Sequence, residues 1–109
     1  ARANAYAERF GGSARASWMK EGRVTRRWAI VTGAGAGSKE IRDAQARGID
    51  TLIVGEGPHH TTVDAADAGL VIIYAGHYAT ETLGVCTLAD AVVEQFGLSA
   101  TFLYLPTGS

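Results

Sequence analysis

The stretch GHYATE, residues 76–81, places His77 and Glu81 four residues apart. It follows the apolar run Leu70-Val71-Ile72-Ile73, where a strand ends and a helix begins. At that separation on a helical turn both side chains can reach one point. An imidazole and a carboxylate converging there suit a divalent transition metal such as zinc, manganese, iron or nickel better than calcium. The alternative is that Glu81 complements the helix dipole and His77 is a loop residue. Upstream, GEGPHH brings Glu56, His59 and His60 close together in sequence. Glu56 at a strand end can hydrogen-bond or act as a base, and His60 can reach the same edge. Adjacent histidines point apart in most backbones, so His59 and His60 are not expected to share one ion.

A third candidate is GAGAG, with Gly33, Gly35 and Gly37 between a strand and a helix. That is the context of a dinucleotide fingerprint, but Ser38 stands where its last glycine belongs. Asp50 and Glu56 are both misplaced for the ribose-binding acid, and Ser38 and Glu40 break a Walker A pattern. The glycines are read first as permitting a tight turn. Anion binding by the N–H groups that open the following helix stays as the other option.

The elements that must position these groups follow from periodicity. RWAIVT reads as a strand and SKEIRDAQARG as a helix, with Ser38 as N-cap and Gly48 as stop. DTLIVG is the next strand, and TTVDAADAG a helix with Thr61 and Asp64 at capping-box spacing and Gly69 at its end. LVIIYAG is a strand. The longest helix runs to Gly97, with Leu83, Cys86, Ala89, Val92, Val93 and Phe96 as its apolar face. ATFLYL is expected to be a last strand. Ahead of this body, ARANAYAERFGG reads as a helix, and SARASWM and VTRRWAIVT as two strands of a hairpin around KEGR. Trp18 and Trp28 are expected to pack on strands, Tyr74 and Tyr78 to pack or to line a pocket beside His77, and Asp64, Asp67 and Asp90 to lie on helix surfaces.

The expected fold is therefore α/β, a mainly parallel sheet with helices on both faces and an N-terminal helix and hairpin. It forms a single domain over 1–109, with 1–23 as a helix and strand lead-in. In such sheets ligands bind beyond the carboxyl ends of the strands. The glycine loop, GEGPHH and AGHYATE all fall at that edge and contain every histidine of the chain.

Composition narrows the function class. The chain has 109 residues, 47% hydrophobic and 19% charged, with a net charge of −1, as expected of a folded domain without a nucleic-acid footprint. Seven of its basic residues fall between Arg2 and Arg27, read as a solvated face before a phosphate-binding one. One cysteine excludes an internal disulfide and fits a reducing, cytoplasmic setting. No run approaches a membrane span. Arg2, Glu8 and Arg9 do not read as a secretory leader. The first residue, Ala1, fits a processed form or a piece of something longer.

The run from AIVTGAGAGSKEIRDAQARGIDTLIVGEGPHH through AGHYATE and its helix resembles the carboxy-terminal part of the Nif-three-like family. These are dinuclear-metal-centre proteins also known as GTP cyclohydrolase type 2 homologues. The likeness covers roughly residues 24–105, with GH-x-ATE as its specific signature. It implies that His77 and Glu81 are metal ligands, Glu81 being able to bridge two ions. It leaves His60 as a weaker candidate near the same cavity, with Glu56 or His60 helping to handle protons. It further implies a metal-dependent hydrolase acting on a nucleotide-like substrate, and a ring-shaped homohexamer. Family members are about twice as long as this chain, and their amino-terminal half supplies more histidines and an acid to the site. Two ions held by this chain alone are therefore not expected. The rival expectations are a non-enzymatic regulatory or scaffold module that oligomerises, and a Rossmann-like nucleotide-binding domain using Gly33 to Gly37.

Overall fold

A computed structural model describes residue 9, residues 13–18 and residues 20–106. The strands are β1 (Arg15–Ala16), β2 (Trp28–Val31), β3 (Thr51–Val54) and β4 (Val71–Tyr74). The helices are α1 (Ser38–Ala46), α2 (His60–Asp67) and α3 (His77–Phe96). The strand order is β1-β4-β3-β2, with β2, β3 and β4 parallel and β1 antiparallel to β4. The expected mainly parallel α/β sheet is what the chain forms.

Alternation along the strands decides which side is core. Leu52, Val54, Ile72 and Tyr74 point to one face and pack there with Ile41 and Ala44 of α1 and Ala65 of α2. Both crossover helices share this face. Moving from β2 to β3 to β4 steps across the sheet in one direction, and right-handed crossovers then stay on one side. Among the described residues the opposite face is met by Trp18, Arg23 and Thr25 and not by a second helix layer. Trp18 donates its indole N–H to the Leu70 carbonyl (2.9 Å), and Arg23 and Thr25 hydrogen-bond Thr51. Trp28 and Ile30, on that same face of β2, stay more than half exposed.

Among the described residues the expected hairpin does not form. β1 pairs with β4 (Arg15 opposite Tyr74, Ala16 opposite Ile73), at the other edge of the sheet from β2. Neighbouring strands lie about 4.8 Å apart, so residues 17–27 have ample length to cross the sheet. Interactions under the sheet hold them there: Ser17 caps the pairing with Ile72, and Asp50 accepts the Arg26 and Arg27 N–H groups at 2.9 Å each. Those two bonds, with the Thr51 hydroxyl, hold the Asp50 carboxyl below its ordinary range, the Arg27 bond first among them. The expected N-terminal helix falls outside the described residues except for Arg9.

Two capping expectations also fail. Gly37, not Ser38, is the N-cap of α1, and neither α1 nor α2 has a side-chain cap. Thr61 is buried, and its hydroxyl instead bonds the Pro58 carbonyl and the Tyr74 hydroxyl (2.7 Å), so burial overrides the capping box. Gly48, Gly69 and Gly97 end the three helices as expected, each with positive φ.

ATFLYL forms no strand. A helix of twenty residues carries the chain about 30 Å away from β4. The segment then returns along α3, where Leu105 N–H bonds the Tyr78 hydroxyl (2.9 Å) and Tyr104 meets the Tyr78 ring edge-on. A helix offers no free ladder groups, so residues 101–105 stay irregular. The apolar stripe expected on α3 is only partly covered: Cys86, Ala89, Val92 and Val93 are half-buried, while Leu83 and Phe96 are exposed. The buried residues of α3 are Ala79, Thr80 and Thr82, in its first two turns.

Candidate metal centre

β2, β3 and β4 end in register, with Val31, Val54 and Tyr74 side by side. The main-chain ladder continues past them into the loops. Ala75 N–H bonds Val54 O (2.8 Å), Gly76 N–H bonds Gly55 O (3.0 Å), and Glu56 N–H bonds Gly33 O (2.8 Å). The three loops are thus stitched together at one edge, as the expected site requires. Gly55 lies so close to the Gly33 carbonyl and the Thr80 hydroxyl that a Cβ there would have no room. Gly33 has φ +65° and its N–H donates to Thr80 Oγ1 (3.0 Å). Thr80 in turn donates to the carbonyl of Gly76 (2.9 Å) or His77 (3.2 Å). One buried hydroxyl therefore ties the glycine loop to the start of α3.

On this platform His77 lies between two carboxylates. Its Nδ1 is 2.7 Å from Glu56 Oε1, and its Nε2 is 3.3 Å from Glu81 Oε2. All three side chains remain open to water, with exposures of 34% for His77, 48% for Glu56 and 52% for Glu81. The hydrogen bond that the ring donates to Glu56, ahead of the charge of Glu81, raises the His77 pKa above its ordinary value. Gly33 backs the pair: a Cβ there would run into the Glu81 carboxylate and lie 3.2 Å from His77 Nε2.

The fold brings His77, Glu81 and Glu56 into contact, whereas the ion-pair contact of His60 is with Asp64. His60 opens α2, exposed, with Asp64 3.9 Å away. His59 is exposed at the N-cap of the same helix. Among the described residues no three His, Cys, Asp or Glu side chains converge as a ready metal cage. Thr80 was not singled out by spacing, although it lies inside GHYATE itself, and Gly33 was read only as part of the glycine turn.

A family model for Duf34/NIF3 (NGG1p interacting factor 3) matches residues 3–106. The chain belongs to the NIF3 family. It is 43% identical over 79 residues to a GTP cyclohydrolase 1 type 2 homolog of Deinococcus radiodurans, covering 72% of this chain and 29% of that protein. A protein of the same name from Halobacterium salinarum is 45% identical over 80 residues, covering 73% of this chain and 30% of its own length. Among solved structures, protein ybgI, described as of unknown function, is 31% identical with a TM-score of 0.80, covering 95% of this chain and 41% of that one. The chain thus spans under a third of the length of those two curated relatives and about two fifths of that solved structure. Among the described residues no helix is long and apolar enough to cross a membrane.

Proposed function

We propose that this NIF3 chain carries the His–Glu part of a divalent-metal site, and that the complete protein uses that site to hydrolyse a nucleotide-like substrate. The observation that carries the reading is His77 Nε2 facing the Glu81 carboxylate at 3.3 Å, with both groups open to solvent. The donor set fits zinc, manganese, iron or nickel, and imidazole with carboxylate is a ligand pair for each. It is not a whole coordination sphere, so further ligands would come from the rest of a longer protein or from another chain. The names of the relatives from Deinococcus radiodurans and Halobacterium salinarum support a nucleotide-like substrate.

His77 would bind through Nε2 and Glu81 through its carboxylate, terminal or bridging. A bound divalent ion supplies activated water for hydrolysis. Thr80 and Gly33 hold the turn that presents both donors. Glu56 beside the ring, and His60 at the start of α2, are the proton-handling candidates. The glycine loop gives little support to the dinucleotide reading, because Gly33, Gly35 and Gly37 pack against Glu81, Val31 and Glu40 of the chain itself.

Elemental analysis of untagged protein beside a His77→Ala, Glu81→Ala double variant tests the site. Metal in the wild type that is lost in the variant supports it; a metal-free wild type sinks it for this chain.

A second reading, an oligomerising scaffold, draws on the outer half of α3 and the segment after it. There Val85, Leu88, Phe96, Leu98, Leu103 and Leu105 are all exposed, and apolar surface of this extent favours association. Self-association, up to a hexamer, belongs to both readings. An oligomer that persists in chelator, without hydrolase activity, favours the scaffold.

A further inference from the structure

Two carboxylates compete for one imidazole. An ionised carboxylate only accepts hydrogen bonds, and a neutral imidazole has a single N–H to donate. The contacts are unequal: Glu56 lies 2.7 Å from Nδ1 and Glu81 3.3 Å from Nε2. The shorter contact is the better acceptor for the ring's one proton. The two acids are also anchored differently. Glu81 is on the same helix as His77, one turn on, and its side chain is half exposed. Glu56 comes from the end of β3, and its main chain is held on both sides, by its N–H to Gly33 O (2.8 Å) and by Ala36 N–H to its carbonyl (3.2 Å). A half-exposed acid loses rotamer freedom when held in one contact. That cost suits a carboxylate whose task is to hold the ring.

We propose that Glu56 is a positioning residue: its carboxylate keeps the proton of neutral His77 on Nδ1 and so leaves Nε2, the nitrogen facing Glu81, free as a metal donor. This rests on the reading of His77 and Glu81 as metal donors, and assigns Glu56 a role through the ring and not on a substrate. Without Glu56 the ring's one proton moves to Nε2 and bonds Glu81, so the two donors occupy each other. Carboxylates behind metal-binding histidines fix the ring and its tautomer in this way in many metal sites.

The ring itself reports the outcome. Two-bond proton–nitrogen spectra of the metal-free 109-residue chain are recorded at a pH where the ring carbon shifts show His77 neutral. Wild type and Glu81→Ala are expected to carry the proton on Nδ1, and Glu56→Ala to move it to Nε2. A wild-type proton on Nε2, or no change in Glu56→Ala, overturns the proposal. Zinc affinity by competition titration is the second readout. Glu56→Ala is expected to bind about 10–100-fold more weakly. Glu56→Gln, whose amide oxygen can accept the same bond, is expected to recover most of that loss. Equal zinc affinity in Glu56→Ala and wild type overturns the proposal as well. A wild type that takes no zinc sinks the metal reading, and the ring spectra then decide on Glu56 by themselves.

Discussion

Gly33→Ala separates the backbone of the centre from its donors. Gly33 has φ +65°, where a side chain costs about 1–2 kcal/mol. The new Cβ would also enter the space of the Glu81 carboxylate and lie 3.2 Å from His77 Nε2. Glu81 is half exposed and turns into water at little cost to the fold, but it then no longer faces His77. Gly48→Ala is the matched control: its φ is +67° and nothing lies within 4 Å of the added carbon. Both variants are therefore expected to lose similar stability, at about 4–8 °C in Tm per kcal/mol for a domain near this size. Only Gly33→Ala is expected to lose metal. Thermal melts and zinc titrations of the two variants beside wild type check this. If Gly33→Ala binds zinc as wild type does, or if Gly48→Ala loses it equally, the close approach of Gly33 to the His–Glu pair is not what shapes the centre.

Other substitutions test the platform and the core. Thr80→Val strands the buried Gly33 N–H and should cost about 1–3 kcal/mol in denaturant melts, whereas Thr80→Ser keeps the hydroxyl and should cost little. Leu52→Ala opens the centre of the sheet, and its expected loss is about 2–5 kcal/mol by the same assay. The pH dependence has a definite sign. The His77 pKa is raised, chiefly by Glu56, so its stabilising contribution is complete below the unfolded histidine value and disappears as pH rises through the folded one. The Tm gap between metal-free wild type and His77→Gln should therefore narrow from mildly acidic to alkaline pH; a gap that widens contradicts the Glu56–His77–Glu81 arrangement. In the protonated ring zinc must displace the Nε2 proton, so binding should weaken as pH falls, and calorimetry at mildly acidic pH in buffers of different ionisation heat should detect proton release.

Much of the centre was legible because local rules and global topology agree. The alternation RWAIVT, DTLIVG and LVIIYAG, with helices between, implies parallel strands ending together. Parallel strands in register must deliver their following loops to one edge. The helix stops at Gly48, Gly69 and Gly97 were legible for the same reason, since a positive φ is set by the nearest residues. Ser38 and Thr61 were misread as caps because a hydroxyl has several nearby acceptors. Burial under Tyr74 decides where the Thr61 hydroxyl goes. ATFLYL looked like a strand because a short apolar and aromatic run reports burial and β propensity and not whether a sheet edge lies within reach.

Sequence by itself determined the main strands and helices, the edge to which three loops are delivered, and His77 with Glu81 as a pair, because a four-residue separation on one helix is a local geometric fact. Only the tertiary structure decided that β1 joins β4 at the far edge while the chain after it crosses to β2, that Glu56 meets the His77 ring, and that Thr80 ties Gly33 to α3. Each of those joins groups far apart in the chain. Their meeting depends on strand order, on register and on which face each side chain takes, and no spacing along the sequence encodes the distance between them.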